Sequence, residues 1–256
     1  KFLSHIREVD AIAMVVRVFS DPNIIHVAGH VDPVSDIEVI QYELILADVE
    51  TVTRRIDDIT KKMKRGVTKD LEKQLETTKK IAAALDAGKL AASVVLDDEE
   101  KIFVHDMQLL TIKPMLYVLN VDEEALRDDA WKGSVPQHFS PQIAMNAKVE
   151  AELAELSLEE AREYCQTLGI VASGLDQLVA ASYRALGLIT YLTTGPMETR
   201  AWTVVAGAKA PQAAGVIHSD FEKNFIKAEV IQWGKLLEAA AHQGDGRASL
   251  ASRSRS

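Results

Sequence analysis

The sequence predicts an α/β protein: buried strands of a parallel sheet, interrupted by an antiparallel pair of long helices and followed by a small β-rich module. Three observations carry this. Residues 11–19 and 114–121 are nearly continuous apolar runs, as expected of strands covered on both faces. Between them Ile45, Val49, Val52, Ile56, Ile59 and Met63 alternate spacings of four and three, the period of a coiled-coil seam. Leu71, Leu75, Thr78, Ala82 and Leu85 repeat that period, and from Leu188 onward short β-type runs replace it.

In chain order, the first residues read as the end of a helix, which predicts that others precede Lys1. After the run at 11–19 comes a polar segment with Pro22, Gly29 and Pro33, then Ser35-Asp36-Ile37-Glu38, which reads as a capping box opening the first long helix. Gly66 is the expected left-handed stop and Thr68 the cap of the returning helix. About 30 residues at about 1.5 Å each predict an arm of roughly 45 Å. A short helix is expected within 97–110, strands at 114–121 and 143–145, and a helix capped by Ser157 that buries Leu158, Ala161, Cys165 and Leu168 and ends at Gly169. Another helix should run over 175–186 and stop at Gly187. Strands follow at 189–192, 199–205 and 228–232, with turns at Gly195-Pro196 and Gly207; 221–225 is helix or loop. Trp202 and Phe221 read as core of this module, and 239–256, rich in Ala, Ser, Arg and Gly, reads as disordered.

The chain has 256 residues, 47% hydrophobic and 26% charged, with a net charge of -9. That charge gives no global attraction to nucleic acid or anionic lipid, so neither DNA nor a membrane is expected as a partner. No apolar run reaches the roughly 20 residues that span a bilayer. One cysteine, Cys165, cannot form an internal disulfide, which suits the cytoplasm; it reads as a core residue.

The second apolar run ends in Asn120-Val121-Asp122-Glu123. In P-loop GTPases the base-reading motif is Asn-Lys-x-Asp at the end of a strand, where the Asp accepts hydrogen bonds from two donors of guanine. Adenine lacks both donors. A Glu in that slot is one methylene longer, displaces the carboxylate and weakens guanine readout. The plain alternative is a strand followed by a solvated acidic turn. Lys61, Lys62, Lys64, Arg65, Lys69 and Lys73 cluster where the two long helices join. This patch reads either as a contact for RNA phosphates or as a solvated turn. His26 and His30 are four apart, but Gly29 and Pro33 break any helical turn there, and no metal is assigned to the chain.

These segments together resemble the Obg-like ATPases of the YchF/Ola1 type. The resemblance rests on Ile6-Arg7-Glu8-Val9-Asp10-Ala11-Ile12, Ile25-His26-Val27-Ala28-Gly29-His30-Val31-Asp32-Pro33, Asn120-Val121-Asp122-Glu123, Thr199-Arg200-Ala201-Trp202-Thr203-Val204 and the long stretch over 216–230. It implies a partial P-loop NTPase sheet over 1–34 and 97–187, an inserted coiled-coil hairpin over 35–96, a partial β-grasp (TGS) module over 188–235 and a disordered tail over 236–256. It implies an ATPase that prefers ATP to GTP, works with Mg²⁺ and associates with the ribosome. Asn120, Val121 and Glu123 would form the base site together with Asn146, Ala147 and Lys148, whose backbone N–H groups and lysine stem could meet the base. Lys61, Lys62, Lys64 and Arg65 would touch ribosomal RNA. His26 would position water near the γ-phosphate, or else orient a loop.

The chain departs from that pattern in two ways. It contains no Gly-x-x-x-x-Gly-Lys-[Ser/Thr]; Gly88-Lys89 and Gly234-Lys235 are each followed by Leu. The phosphate cradle and the Mg²⁺-binding hydroxyl are therefore not expected in these residues, and the chain alone is expected to be inactive. The module after Leu188 turns low in complexity where further strands are expected, as in a truncated or frame-shifted end. The alternative function is a non-catalytic coiled-coil and TGS module that binds the ribosome or RNA.

Overall fold

The computed structural model describes residues 2–26, 29–195 and 198–241. The chain divides into two compact units, Lys1–Leu188 and Ile189–Ser256.

The first unit is built on three parallel strands in the order β1 (Ile12–Arg17), β2 (Met115–Asn120), β3 (Gln142–Met145). β2 is buried through Leu119, as its apolar run predicts. β1 is not: Met14 and Val16 are buried, while Val15 is 69% exposed. As an edge strand pairing with β2 alone, β1 has one covered face among the described residues. α1 (Phe2–Glu8) precedes it. The Lys113 ammonium donates to the carbonyls of Ile6, Arg7 and Val9, satisfying groups that a helix end leaves unpaired. Desolvation lowers the pKa of Lys113.

The long helix, α2, runs over Pro33–Met63. It starts ahead of the predicted capping box. Asp32 is the cap, accepting from the Ser35 N–H at 3.1 Å, and Pro33 takes the first helical position, where its fixed φ fits and its missing N–H costs nothing. α2 ends at Lys64 in right-handed geometry, and Gly66 is not left-handed. Two successive tight turns do the work there, with Arg65 and Gly66 N–H donating to the carbonyls of Lys62 and Met63. Thr68 caps α3 (Lys69–Asp86), as expected.

The seam forms, with Ile45, Val52, Ile59, Ile81 and Leu85 buried. The arm is shorter than the helix. Ile37 and Leu44, in the first turns of α2, belong to the core of the sheet. The stretch that α3 can accompany is set by its 18 residues, about 27 Å. α4 (Asp98–His105), opened by an Asp97/Glu100 capping box, lies against α3 from Lys73 to Lys80. Glu100 accepts from Thr77 at 2.9 Å and Lys80 at 3.2 Å, and Lys73 pairs with Asp97 at 3.0 Å and Glu99 at 2.5 Å. Those carboxylates raise the Lys73 pKa, through the hydrogen bond to Glu99 first. Lys73, about one helical turn from the tip, is thus engaged with the start of α4 and is not a free cation of the basic patch.

α5 (Glu123–Asp128), α6 (Ala147–Leu153), α7 (Leu158–Leu168) and α8 (Gly174–Ala185) complete the unit. The Ser157 capping box and left-handed Gly169 form as predicted. Leu158, expected inside, is 81% exposed, because the inward face of α7 is carried by Ala161, Tyr164, Cys165 and Leu168.

The second unit holds β4 (Leu188–Thr194) paired with β5 (Thr199–Val205), then α9 (Ala210–Ile217), α10 (Ser219–Lys223) and α11 (Trp233–Ala241). α9 is unanticipated by the sequence pattern, and α10 resolves the ambiguity at 221–225. The strand expected at 228–232 does not form. Ile226 and Val230 are 91% and 90% exposed, without a strand alongside to pair with among the described residues. Phe221 is exposed, not core. Trp202 is half-buried, donating from its indole to Thr193 at 2.8 Å under the Arg200 guanidinium. Residues 236–241 are helical, against the disorder expected there; the rest of the predicted tail, and Pro196 of the expected turn, lie outside the described residues.

One buried charge ties the first unit together. Asp48, fully buried in α2, accepts from the N–H groups of Leu110 and Thr111 at 2.9 and 2.7 Å and from the Thr111 hydroxyl at 2.7 Å. Arg7 lies 3.9 Å away and also donates to Thr51 and to the carbonyl of Gln108. Asp48→Ala strands these donors in the core. We expect a loss of about 3 kcal/mol in chemical denaturation, against less than about 0.5 kcal/mol for the exposed Asp58→Ala.

Candidate functional site

In parallel sheets, ligands gather beyond the carboxyl ends of the strands. Here β1, β2 and β3 end in register at Arg17, Asn120 and Met145, and each is followed by a candidate site segment.

Two of those segments are bolted together. The Asn120 side-chain oxygen accepts the Ala147 N–H at 3.1 Å. In return Asn146 donates its amide to the Val121 carbonyl at 2.7 Å. The Asn146 oxygen also accepts from the N–H groups of Lys148 and Val149, capping α6. Val121 is buried beneath this crossing. From the sequence, the backbone N–H groups of this loop are expected to be available to a base. In the structure they are not: those of Ala147 and Lys148 are taken by Asn120 and Asn146, because they are the first amides of a helix and need acceptors.

Asp122 caps α5 through the Ala125 N–H, which sets Glu123 at the first helical position. One Glu123 oxygen accepts from the Arg127 guanidinium, one helical turn on, at 2.5 Å. Both side chains are about half exposed. Close to this pair, Tyr164 donates its hydroxyl to Glu152 at 2.6 Å; that bond, ahead of burial, raises its pKa. Lys148 is 86% exposed, its ammonium 3.9 Å from Glu152.

The β3–α6 junction is backed by α8. Glu150 accepts from the N–H groups of Gly174 and Leu175 at 2.6 and 3.2 Å, as an acidic cap on α8. Glycine is required there: a Cβ on Gly174 would lie 2.3 Å from Met145 Cβ. Gly174 and Arg127 are not anticipated by the sequence pattern. The four-residue spacing from Glu123 to Arg127 was the available signal for the second.

After β1, Arg17 gathers the next loop, donating to the carbonyls of Phe19, Asp21 and Ile24. The loop leads to His26, whose Nε2 sits 3.0 Å from the Asp36 carboxylate in the first turn of α2. His26 is thus tied to the base of the arm. Val27 and Ala28 lie outside the described residues.

The remaining candidates lie elsewhere. Lys61, Lys62, Lys64 and Arg65 are exposed at the far end of the hairpin, with Lys61 3.7 Å from Asp58. A cleft of about 700 Å³ opens between α6, α7 and the start of α8. Cys165 lines it, and burial pushes its thiol pKa up. Among the described residues, no group of three or more His, Cys, Asp or Glu side chains could hold a metal ion.

The chain is 47% identical to the ribosome-binding ATPase YchF of Bacillus subtilis over 251 residues, covering 95% of this chain and 68% of that protein. The chain belongs to the YchF family. The Obg-like ATPase 1 of Oryza sativa subsp. indica is 37% identical, with 93% and 62% covered. The structure of the Schizosaccharomyces pombe YchF GTPase superposes with a TM-score of 0.81 at 34% identity, covering 93% of this chain and 66% of that one. Residues 188–254 match the family model YchF-GTPase_C, described as a protein of unknown function (DUF933). YchF relatives are thus matched along both units, and the chain spans about two thirds of their length.

Gly174→Ala tests whether α8 sets the base-side loops. We expect about 2 kcal/mol of destabilisation from overpacking, together with a shifted Ala147 amide resonance. Gly66→Ala, which meets open space, should change neither.

Proposed function

We propose that this chain forms the base-side wall of the nucleotide site of a ribosome-binding, cytoplasmic ATPase, and that it favours ATP over GTP. The observation that carries the reading is the reciprocal bond pair Asn120–Ala147 and Asn146–Val121 at the carboxyl ends of β2 and β3. It fixes one rigid edge from two loops. With the Asn120 oxygen engaged, its NH₂ group is the donor left for a purine ring nitrogen. With the Ala147 N–H engaged, the loop offers little to guanine's O6. Val121, buried in the core, supports the wall from beneath without a surface of its own for the ring. The Lys148 stem covers the ring, and Glu123 accepts from adenine's exocyclic amine. Preorganised polar groups of this kind discriminate strongly, since the wrong base leaves them unpaired.

His26, held by Asp36, is the candidate for positioning the attacking water at the γ-phosphate. Phosphates and Mg²⁺ would be held by groups outside these residues. Among the described residues no cluster of His, Cys, Asp or Glu side chains fits that ion. The names of the YchF relatives support both ATP hydrolysis and ribosome binding. The segment 35–96 is read as a coiled-coil arm and 188–235 as a partial TGS module. The exposed tip Lys61, Lys62, Lys64 and Arg65 is the proposed contact with ribosomal RNA. Its four cations are exposed, although Asp58 lies 3.7 Å from Lys61 and offsets part of their charge.

Adenosine, which needs no phosphate cradle, should shift the Ala147 amide of the ¹⁵N-labelled chain in a saturable way. Asn120→Ala should remove that response, and Glu123→Asp should raise guanosine affinity relative to adenosine. An unchanged ratio in Glu123→Asp would show that this carboxylate does not read the base.

Replacing Lys61, Lys62, Lys64 and Arg65 with Ser should weaken ribosome co-sedimentation. It should also flatten the dependence of log affinity on log salt by up to about four phosphate contacts. Equal binding and slope, with loss instead in a variant lacking Arg200, Lys209, Lys223 and Lys227, would move the contact to the second unit.

A further inference from the structure

The link between α10 and α11 is built unlike a connecting loop. Residues 225–232 carry neither helix nor strand, yet they contain no Gly, Pro, Asn, Asp or Ser, the residues from which turns are made. Phe225, Ile226, Val230 and Ile231 are instead strand formers. Ile226 and Val230 are 91% and 90% exposed, and Ile231 is 49% exposed. Among the described residues, 225–231 make no backbone hydrogen bonds. A run of unpaired N–H and C=O groups flanked by exposed apolar side chains is a template for another strand. The sequence that follows α11 is ill suited to supply it. Residues 242–256 contain one large apolar residue, Leu250, and no Val, Ile or Thr.

The segment is complementary to itself. Set antiparallel to a second copy about Ala228, Ile226 faces the partner's Val230 and Lys227 faces the partner's Glu229, and each pairing occurs twice. Phe225 meets the partner's Ile231 in the same way. Alternation puts Ile226, Ala228 and Val230 of both copies on one face and the two Lys–Glu pairs on the other. Opposite charges directly across a strand pair stabilise it, and like charges oppose it. The competing arrangements bring like charges together. Parallel pairing in register sets Lys227 against the partner's Lys227 and Glu229 against the partner's Glu229. Sliding the antiparallel pair by two residues restores one or the other of those clashes. Charge therefore selects the register that also pairs the apolar residues.

We propose that residues 225–231 pair as an antiparallel strand with the same residues of a second copy, an isologous dimer contact of the second unit. Sedimentation equilibrium of the full 256-residue chain, at neutral pH and low salt, tests this up to about 0.5 mM, where a small interface can associate. The average mass should rise from monomer to dimer and no further. Lys227→Glu and Glu229→Lys should each weaken self-association at least about tenfold, since each turns two attractive pairs into two repulsive ones. An equal mixture of those two variants should associate like the wild type, because every Lys then meets a Glu. The double variant Lys227→Glu/Glu229→Lys should self-associate again for the same reason. Both side chains are exposed, so no core is disturbed. A wild-type chain that stays monomeric overturns the proposal and leaves the segment to a strand of another protein. A dimer that both single variants leave unweakened, or a mixture that associates no better than either variant alone, overturns it as well.

Discussion

The burial of β2 on both faces is the constraint on which the rest of the first unit depends. Met115, Tyr117 and Leu119 point into a core with Ile37 and Leu44 of α2. Leu116 packs with Ile143 and Ala181 of β3 and α8. A strand so enclosed has no water for its amides, and they must find partners in β1 and β3. Parallel ladders meet that demand here, and their register brings Arg17, Asn120 and Met145 to one edge. The site is a consequence of where a buried ladder stops.

Polar groups do the fastening that apolar contact cannot direct. Asp48 fixes the angle of α2 against residues 110–111 through three short bonds. Asn120 and Asn146 fix one loop against another. Glu150 fixes α8 against the second of those loops. Each bond satisfies a donor or acceptor that a helix start or loop backbone would otherwise leave bare, so geometry and stability have the same source. The His26–Asp36 contact extends the pattern to the arm: a candidate catalytic loop is held by the first turn of the helix whose far end carries the basic tip.

Much of this was legible beforehand where a residue type has one local use. Thr68, Ser157 and Gly169 act as read, because caps and left-handed stops are decided within one helical turn. The seam of α2 was legible from spacing alone. Errors came where a local pattern met a longer-range demand. Ser35 looked like a cap, but Pro33 had already begun the helix and Asp32 was better placed. Leu158 fits an apolar stripe and still faces solvent. The loop at 146–148 was legible as a place but not as a chemistry, since which N–H groups stay free depends on Asn120 from another strand.

The sequence by itself determined the α/β class, the helical hairpin, the strand that ends in Asn120 and the lack of a Walker phosphate loop in these residues, because periodicity and short motifs are read over a few turns. Only the tertiary structure decided which face of β1 is covered, how much of α2 projects beyond the core, that Lys73 is spent on Asp97 and Glu99, and that Glu123 comes paired with Arg127. Those outcomes turn on competition among hydrogen-bond partners brought together by folding, and a linear pattern holds no record of which partner wins.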